Sequence, residues 1–136
     1  MATVRSSRKF ALKQAEDIVR MRQMVREKVV GMGFSLVDQT KIVTAASELG
    51  RNAVIYGGGG DVEVNEIHDG GRIGLQLVFA DQGPGIADVE LALKDGYTSG
   101  NGLGLGLGGA RRLSNEFELT SRPGEGTRVA ITRWRA

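Results

Sequence analysis

Glu48 and Asn52 stand four residues apart in a stretch of helical periodicity, so their side chains share one helix face. A carboxylate beside an amide oxygen suits a hydrated Mg²⁺ and a hydroxyl about to lose its proton. Magnesium takes hard oxygen ligands and keeps several waters, and substrate phosphates complete its shell. Spacing alone equally allows two polar residues on a solvated face. Further on, Asp81-Gln82-Gly83-Pro84-Gly85 follows an apolar run and resembles a tight turn that fixes a carboxylate at a pocket rim. An acceptor-only group there would select a ring bearing an exocyclic amino group, as adenine does. In isolation, an Asp stabilising its own turn explains the same residues. The third stretch is Gly102-Leu103-Gly104-Leu105-Gly106-Leu107-Gly108-Gly109. Alternating Gly and Leu makes neither a good strand nor a good helix, because each Gly adds to the entropy cost of ordering the backbone. A bound polyphosphate would offset that cost: glycine amides approach oxygen closely, and the following helix offers its N-terminus to an anion. The conjunction of the three describes a nucleotide site.

Other readings of these residues fail on context. Gly104 to Gly109 contains a literal G-x-G-x-x-G, but that fingerprint belongs after a buried strand early in a βαβ unit, and here only a hairpin's length of chain follows its helix. No G-x-x-x-x-G-K-[ST] is present, so a P-loop is excluded. The single histidine, His68, lies beside an expected hairpin turn and is a weak catalytic candidate. There is no cysteine, which removes disulfides, thiolate nucleophiles and cysteine metal sites. A net charge of +2, from 18 basic and 16 acidic residues scattered along the chain, gives nucleic acid no basic patch to bind. No uncharged stretch is long enough to span a membrane and no leader pattern opens the chain, so a soluble, cytoplasmic protein is expected.

The positioning elements follow from periodicity and breakers. A first strand is expected near 3 to 12, then a helix from Lys13 through Ile18, Val25 and Val29 that stops at Gly31 and Gly33. Ser35-Leu36-Val37-Asp38 has capping-box form and starts a second helix, which ends at Gly57-Gly58-Gly59-Gly60. Val62, Val64 and Ile67, a turn at Asp69-Gly70-Gly71, and alternating Ile73, Leu75, Leu77 and Phe79 predict an antiparallel hairpin with one buried face. A short helix over about 87–93, a glycine-punctuated loop over 96–106, a helix to about 115, and a hairpin of 116–121 and 127–134 complete the order β-α-α-β-β-α-α-β-β. Grouped helices beside such strands predict an α+β, two-layer sandwich: a mixed, mainly antiparallel sheet with helices on one face. At 136 residues, one domain over 1–136 is expected.

Taken together, the residues resemble the GHKL or Bergerat-fold ATPases, a family that includes histidine-kinase catalytic domains, gyrase B, Hsp90-type chaperones and bacterial anti-sigma serine kinases. Glu48-x-x-x-Asn52 looks like the family's N-box, Asp81-x-Gly83-x-Gly85 its first glycine box, Gly102-x-Gly104-x-Gly106 its second, and Gly126-Thr127 its last nucleotide-contacting pair. The resemblance implies ATP and Mg²⁺ as cofactors. Asn52 would hold the metal, Glu48 would act as general base, Asp81 would meet the adenine amino group and Thr127 the adenine edge. Ile86, Leu103 and Leu105 would line the nucleotide alongside the glycines, and 96–106 would form the lid. The chain lacks the phosphoacceptor helices of sensor kinases and a second domain of the gyrase type. Ala46 to Asn52, Tyr56-Gly57-Gly58-Gly59-Gly60 and Arg112-Leu113-x-x-Glu116-Phe117 look most like the RsbT-type switch kinases of stressosome partner switching, whose anti-sigma relatives usually have histidine at the place of Tyr56. That branch implies a STAS-domain protein as substrate and a PP2C-type phosphatase as a downstream partner. The alternatives are an anti-sigma factor that sequesters a sigma factor, and a non-catalytic ATP-dependent binding module.

Overall fold

The computed structural model describes residues 2–86, 88–93 and 107–135, with the backbone alone at Leu91. Its elements run β1 (Thr3–Leu12), α1 (Ala15–Gly31), α2 (Leu36–Ile55), β2 (Gly60–Asp69), β3 (Arg72–Asp81), α3 (Val89–Ala92), α4 (Leu107–Arg112), β4 (Glu116–Ser121) and β5 (Thr127–Trp134). The five strands form one sheet in the order β1-β2-β3-β5-β4, and every pairing is antiparallel. The α+β architecture expected from the pattern is the one observed.

Local chemistry sets the helix boundaries. Ser35 caps α2 by accepting the Asp38 N–H at 3.2 Å. At the far end, the Tyr56 and Gly57 amides both donate to the Asn52 carbonyl at 3.0 Å, and Gly59 donates to Ala53 at 2.8 Å. Gly58 and Gly59 follow at φ of +71° and +109°, values that a side chain would resist, so the chain leaves the helix there and enters β2. Helix α1 starts two residues later than its periodicity suggests, because the Asp17 carboxylate accepts from the Lys13 and Gln14 amides and holds both outside the first turn.

Strand alternation divides the sheet between two faces. Val62, Val64, Leu75, Leu77, Phe79, Val129 and Ile131 join Met21, Val25, Val29, Ile42, Ala46 and Leu49 of the helices in one core. Ile67 is buried too, but it has the opposite parity to Val62 and Val64 and faces away from that core. Asn65, Val78, Ala130 and Thr132 are buried on that same second face, so the central hairpin shields both sides rather than one. Asn65 illustrates how: its amide donates to Glu63 at 3.0 Å and to Gln76 across the strand pair at 3.1 Å.

Register decides what meets what at the two ends of the sheet. Leu12 pairs with Gly60, Gly60 with Asp81, Asp81 with Thr127 and Thr127 with Ser121, a row that crosses all five strands at one end. At the opposite end Thr3 pairs with His68, His68 with Ile73, and Gly74 with Trp134.

Candidate functional site

Leu49 and Ala53 anchor α2 in the core at 2% exposure each, which leaves Glu48 and Asn52 half-buried, one turn apart near its C-terminal end. The helix end closed on the Asn52 carbonyl then delivers Gly57 directly beneath Asp81. A Cβ on Gly57 would overlap the Asp81 carboxylate, and a Cβ on Gly83 would stand 2.6 Å from the Gly57 Cα. Only hydrogen at both positions lets the helix end, the strand end and the following turn touch. From the other side, a Cβ on Gly126 would overlap the Asp81 carbonyl, and one on Gly85 would overlap the Arg122 carbonyl.

Asp81 is therefore clasped between the end of α2 and the β4–β5 turn. Its carboxylate accepts the Gly83 N–H at 2.9 Å and the Thr127 N–H. Burial nevertheless pushes the carboxyl above its ordinary range, with the two amides only partly opposing the shift. The turn after Asp81 is pinned to the hairpin by two bonds. Gly124 N–H donates to the Pro84 carbonyl at 2.6 Å, and Ile86 N–H donates to Ser121 Oγ at 2.8 Å.

The structure thus brings Asn52, Asp81, Gly83, Gly85, Ile86 and Thr127 to one end of the sandwich, with Glu48 one turn back along α2. Gly102, Leu103, Gly104, Leu105 and Gly106 lie outside the described residues. Helix α4 resumes at Leu107, which is 2% exposed, and packs on α2. His68, by contrast, sits at the other end of β2, eight residues from Gly60, roughly 26 Å away at strand rise. It bonds Glu66 at 2.9 Å, and Glu66 also bonds Lys28 at 2.9 Å, so it belongs to a structural cluster.

Two participants escape a reading of sequence. Gly57 counts there only as a helix stop, and Ser121 as the last residue of a strand. Their roles depend on what register sets opposite them; the one signal in the chain is that Ser121 precedes the turn leading to Thr127.

The residues fit the groups their chemistry implies. Among the described residues no three His, Cys, Asp or Glu side chains cluster to cage a metal. An amide oxygen from Asn52 suits a magnesium ion that keeps waters and phosphate oxygens as its other ligands. The half-buried acceptor at Asp81 suits an amino-bearing ring.

Residues 37–135 match the family described as histidine kinase-, DNA gyrase B- and HSP90-like ATPase, and the chain belongs to that family. Within it, the chain is 44% identical over 118 residues to serine/threonine-protein kinase RsbT of Bacillus subtilis (strain 168), spanning 87% of this chain and 89% of that protein. It is also 30% identical over 99 residues to anti-sigma F factor of Thermoanaerobacter sp. (strain X514), 68% of each chain. A solved structure of the RsbU and RsbW domains of Rv1364c from Mycobacterium tuberculosis superposes with a TM-score of 0.62 at 21% identity, over 95% of this chain and 33% of that one. That structural likeness is one of fold.

Proposed function

We propose that this protein uses MgATP to phosphorylate a serine or threonine of a STAS-domain partner in a bacterial, cytoplasmic partner-switching pathway. The chain is a protein serine/threonine kinase by its 44% identity with RsbT across most of both chains. The geometric observation that carries the reading is the clasp around Asp81: a desolvated acceptor held against the end of the helix that bears Glu48 and Asn52. In the Bergerat-fold family this is where the adenine and the metal-bearing phosphates are expected to meet.

Within that reading, Asp81 accepts a hydrogen bond from the adenine amino group, and the turn from Gly83 to Ile86 carries the backbone past the base. Asn52 offers its amide oxygen to the metal. Mg²⁺, when bound, neutralises charge on the phosphates. Glu48 orients the partner's hydroxyl and takes its proton as the new O–P bond forms and the bond to ADP breaks. Phosphoryl transfer depends mainly on such positioning and on charge stabilisation, so Glu48 need not be a strong base. The product gains about two negative charges, enough to loosen the docked pair, and the freed kinase would then engage a PP2C-type phosphatase.

The 30% identity with an anti-sigma F factor keeps a second reading in view, in which the output is sequestration of a sigma factor. A third is an ATP-dependent binding module without transfer. One experiment separates them: transfer of γ-labelled phosphate from MgATP in lysate of the source cells, comparing the natural protein with Glu48→Ala and identifying labelled and co-purifying proteins by mass spectrometry. Glu48→Ala is expected to bind ATP normally and to lose transfer by about 100-fold or more. A labelled STAS protein supports the kinase reading. A co-purifying sigma subunit moves it to the anti-sigma branch, and bound ATP with no label favours the binding module.

A further inference from the structure

Ser121 stands at the end of β4 on the row that holds Asp81 and Thr127, and it has three polar partners. Its hydroxyl oxygen lies 2.8 Å from the Ile86 N–H, 3.0 Å from the Gly126 carbonyl and 2.8 Å from Thr127 Oγ1. A serine hydroxyl has one proton and two lone pairs. The Ile86 amide can only donate, so it takes one lone pair. The Gly126 carbonyl can only accept, so it takes the proton. What remains for Thr127 is the second lone pair, and the Thr127 hydroxyl must therefore donate to Ser121. With its proton committed, Thr127 Oγ1 offers only lone pairs to anything in the pocket. Asp81, beside it in the same row, is likewise an acceptor when ionised.

We infer that Ser121 is a specificity-determining residue for the nucleotide base: by taking up the Thr127 proton, it makes the pocket wall acceptor-only and so selects adenine over guanine. The inference rests on the assignment of this end of the sandwich to ATP. Adenine presents an amino group at the purine position where guanine presents a carbonyl oxygen. With Asp81 and Thr127 both turned to that position, the two hydrogens of the amino group meet one acceptor each, whereas the guanine oxygen faces lone pairs from both and its N1–H and 2-amino donors lie farther along the ring edge; sites built around hydrogen bonds discriminate strongly because a mismatched ligand leaves their polar groups unpaired. Were Thr127 free to rotate its hydroxyl, it could donate to guanine O6 and the selectivity would fall. Ser121 also holds Ile86, so it acts as a positioning residue for the turn after Asp81. Uptake of the Thr127 proton has a separate effect, because a loosened turn would weaken both nucleotides alike.

The test is titration of the full chain with fluorescent N-methylanthraniloyl ATP and GTP in the presence of Mg²⁺. Ser121→Ala is expected to lower the ratio of ATP to GTP affinity by roughly fivefold to tenfold, the worth of about one hydrogen bond, and Ser121→Thr to restore it. Thr127→Val, close in shape but without a hydroxyl, should lower the same ratio and tests the idea independently should Ser121→Ala fold poorly. Equal weakening of both nucleotides in these variants, or an unchanged ratio, overturns the assignment of specificity to Ser121. If the unaltered protein binds neither nucleotide, the ATP reading fails first and this inference falls with it.

Discussion

Asp81 is held where burial raises its carboxyl above the ordinary range, with the amides of Gly83 and Thr127 acting against the shift. A raised native value means that the folded protein holds the Asp81 proton more tightly than the unfolded chain. This contribution to stability is therefore full below the unfolded value of about 3.8 and is lost as pH rises through the native value. Above that value the ionised carboxylate stabilises the fold less than its protonated form does. Asp81→Asn should accordingly unfold at higher urea concentration than the natural protein at pH 7, with the advantage disappearing near pH 3.8 and below, while its ATP affinity falls. Equal ATP affinity would refute the adenine assignment, and lower stability at pH 7 would refute the electrostatic one. In the candidate site, Glu48 and Asn52 stand out in sequence by their four-residue spacing on one helix, and Asp81 by its place between an apolar run and Gly83-Pro84-Gly85. Gly57 and Ser121 do not, since a glycine after a helix and a serine before a turn satisfy purely local rules. Only the helix end and the cross-strand register reveal that one makes room for the Asp81 carboxylate and the other completes a hydrogen-bond network.

Elements closed by short-range chemistry were the readable ones. The Ser35–Asp38 cap, the run of glycines after α2 and the alternation in β3 each depend on neighbours a few residues away, and each stands where its pattern places it. The anchoring of α4 was not readable, because its partners are distant in the chain. Arg133 donates to the Leu113 carbonyl just beyond α4 at 3.0 Å, and to Asp38 in the first turn of α2 at 2.8 Å. The two ionic side chains are only 17% and 15% exposed. Removing one partner of such a pair strands the other away from water, at a cost on the order of 3 kcal/mol, whereas replacing both with apolar residues is often nearly neutral. Arg133→Met should lower the urea midpoint by that measure, and adding Asp38→Leu should recover part of the loss. A double mutant no more stable than the single would show that the Leu113 bond, not the ion pair, dominates.

Across the whole molecule, the property that sequence could not supply is strand order. Two hairpins were evident, yet nothing local says that β5 rather than β4 lies against β3, and that choice sets Thr127 beside Asp81. The same order leaves the outer ends of β1 and β5 at the edge farthest from the site, separated by β2 and β3. Three strand spacings amount to roughly 14 Å, and a strand's length of about 26 Å lies between that edge and Asp81. The chain can therefore be rewired: a flexible bridge of about six residues would join the far ends of β1 and β5, and new termini could open at the exposed Gly70–Gly71 turn, where loop tips tolerate cutting. Such a circular permutant should fold and bind ATP as the natural protein does, judged by circular dichroism and nucleotide titration; a folded permutant that had lost ATP would count against the separation of the two ends. The end of the sandwich that holds Asp81 is, in that sense, indifferent to how the far ends of β1 and β5 are joined, and a reporter or a tether can be attached at the opposite edge without standing in its mouth.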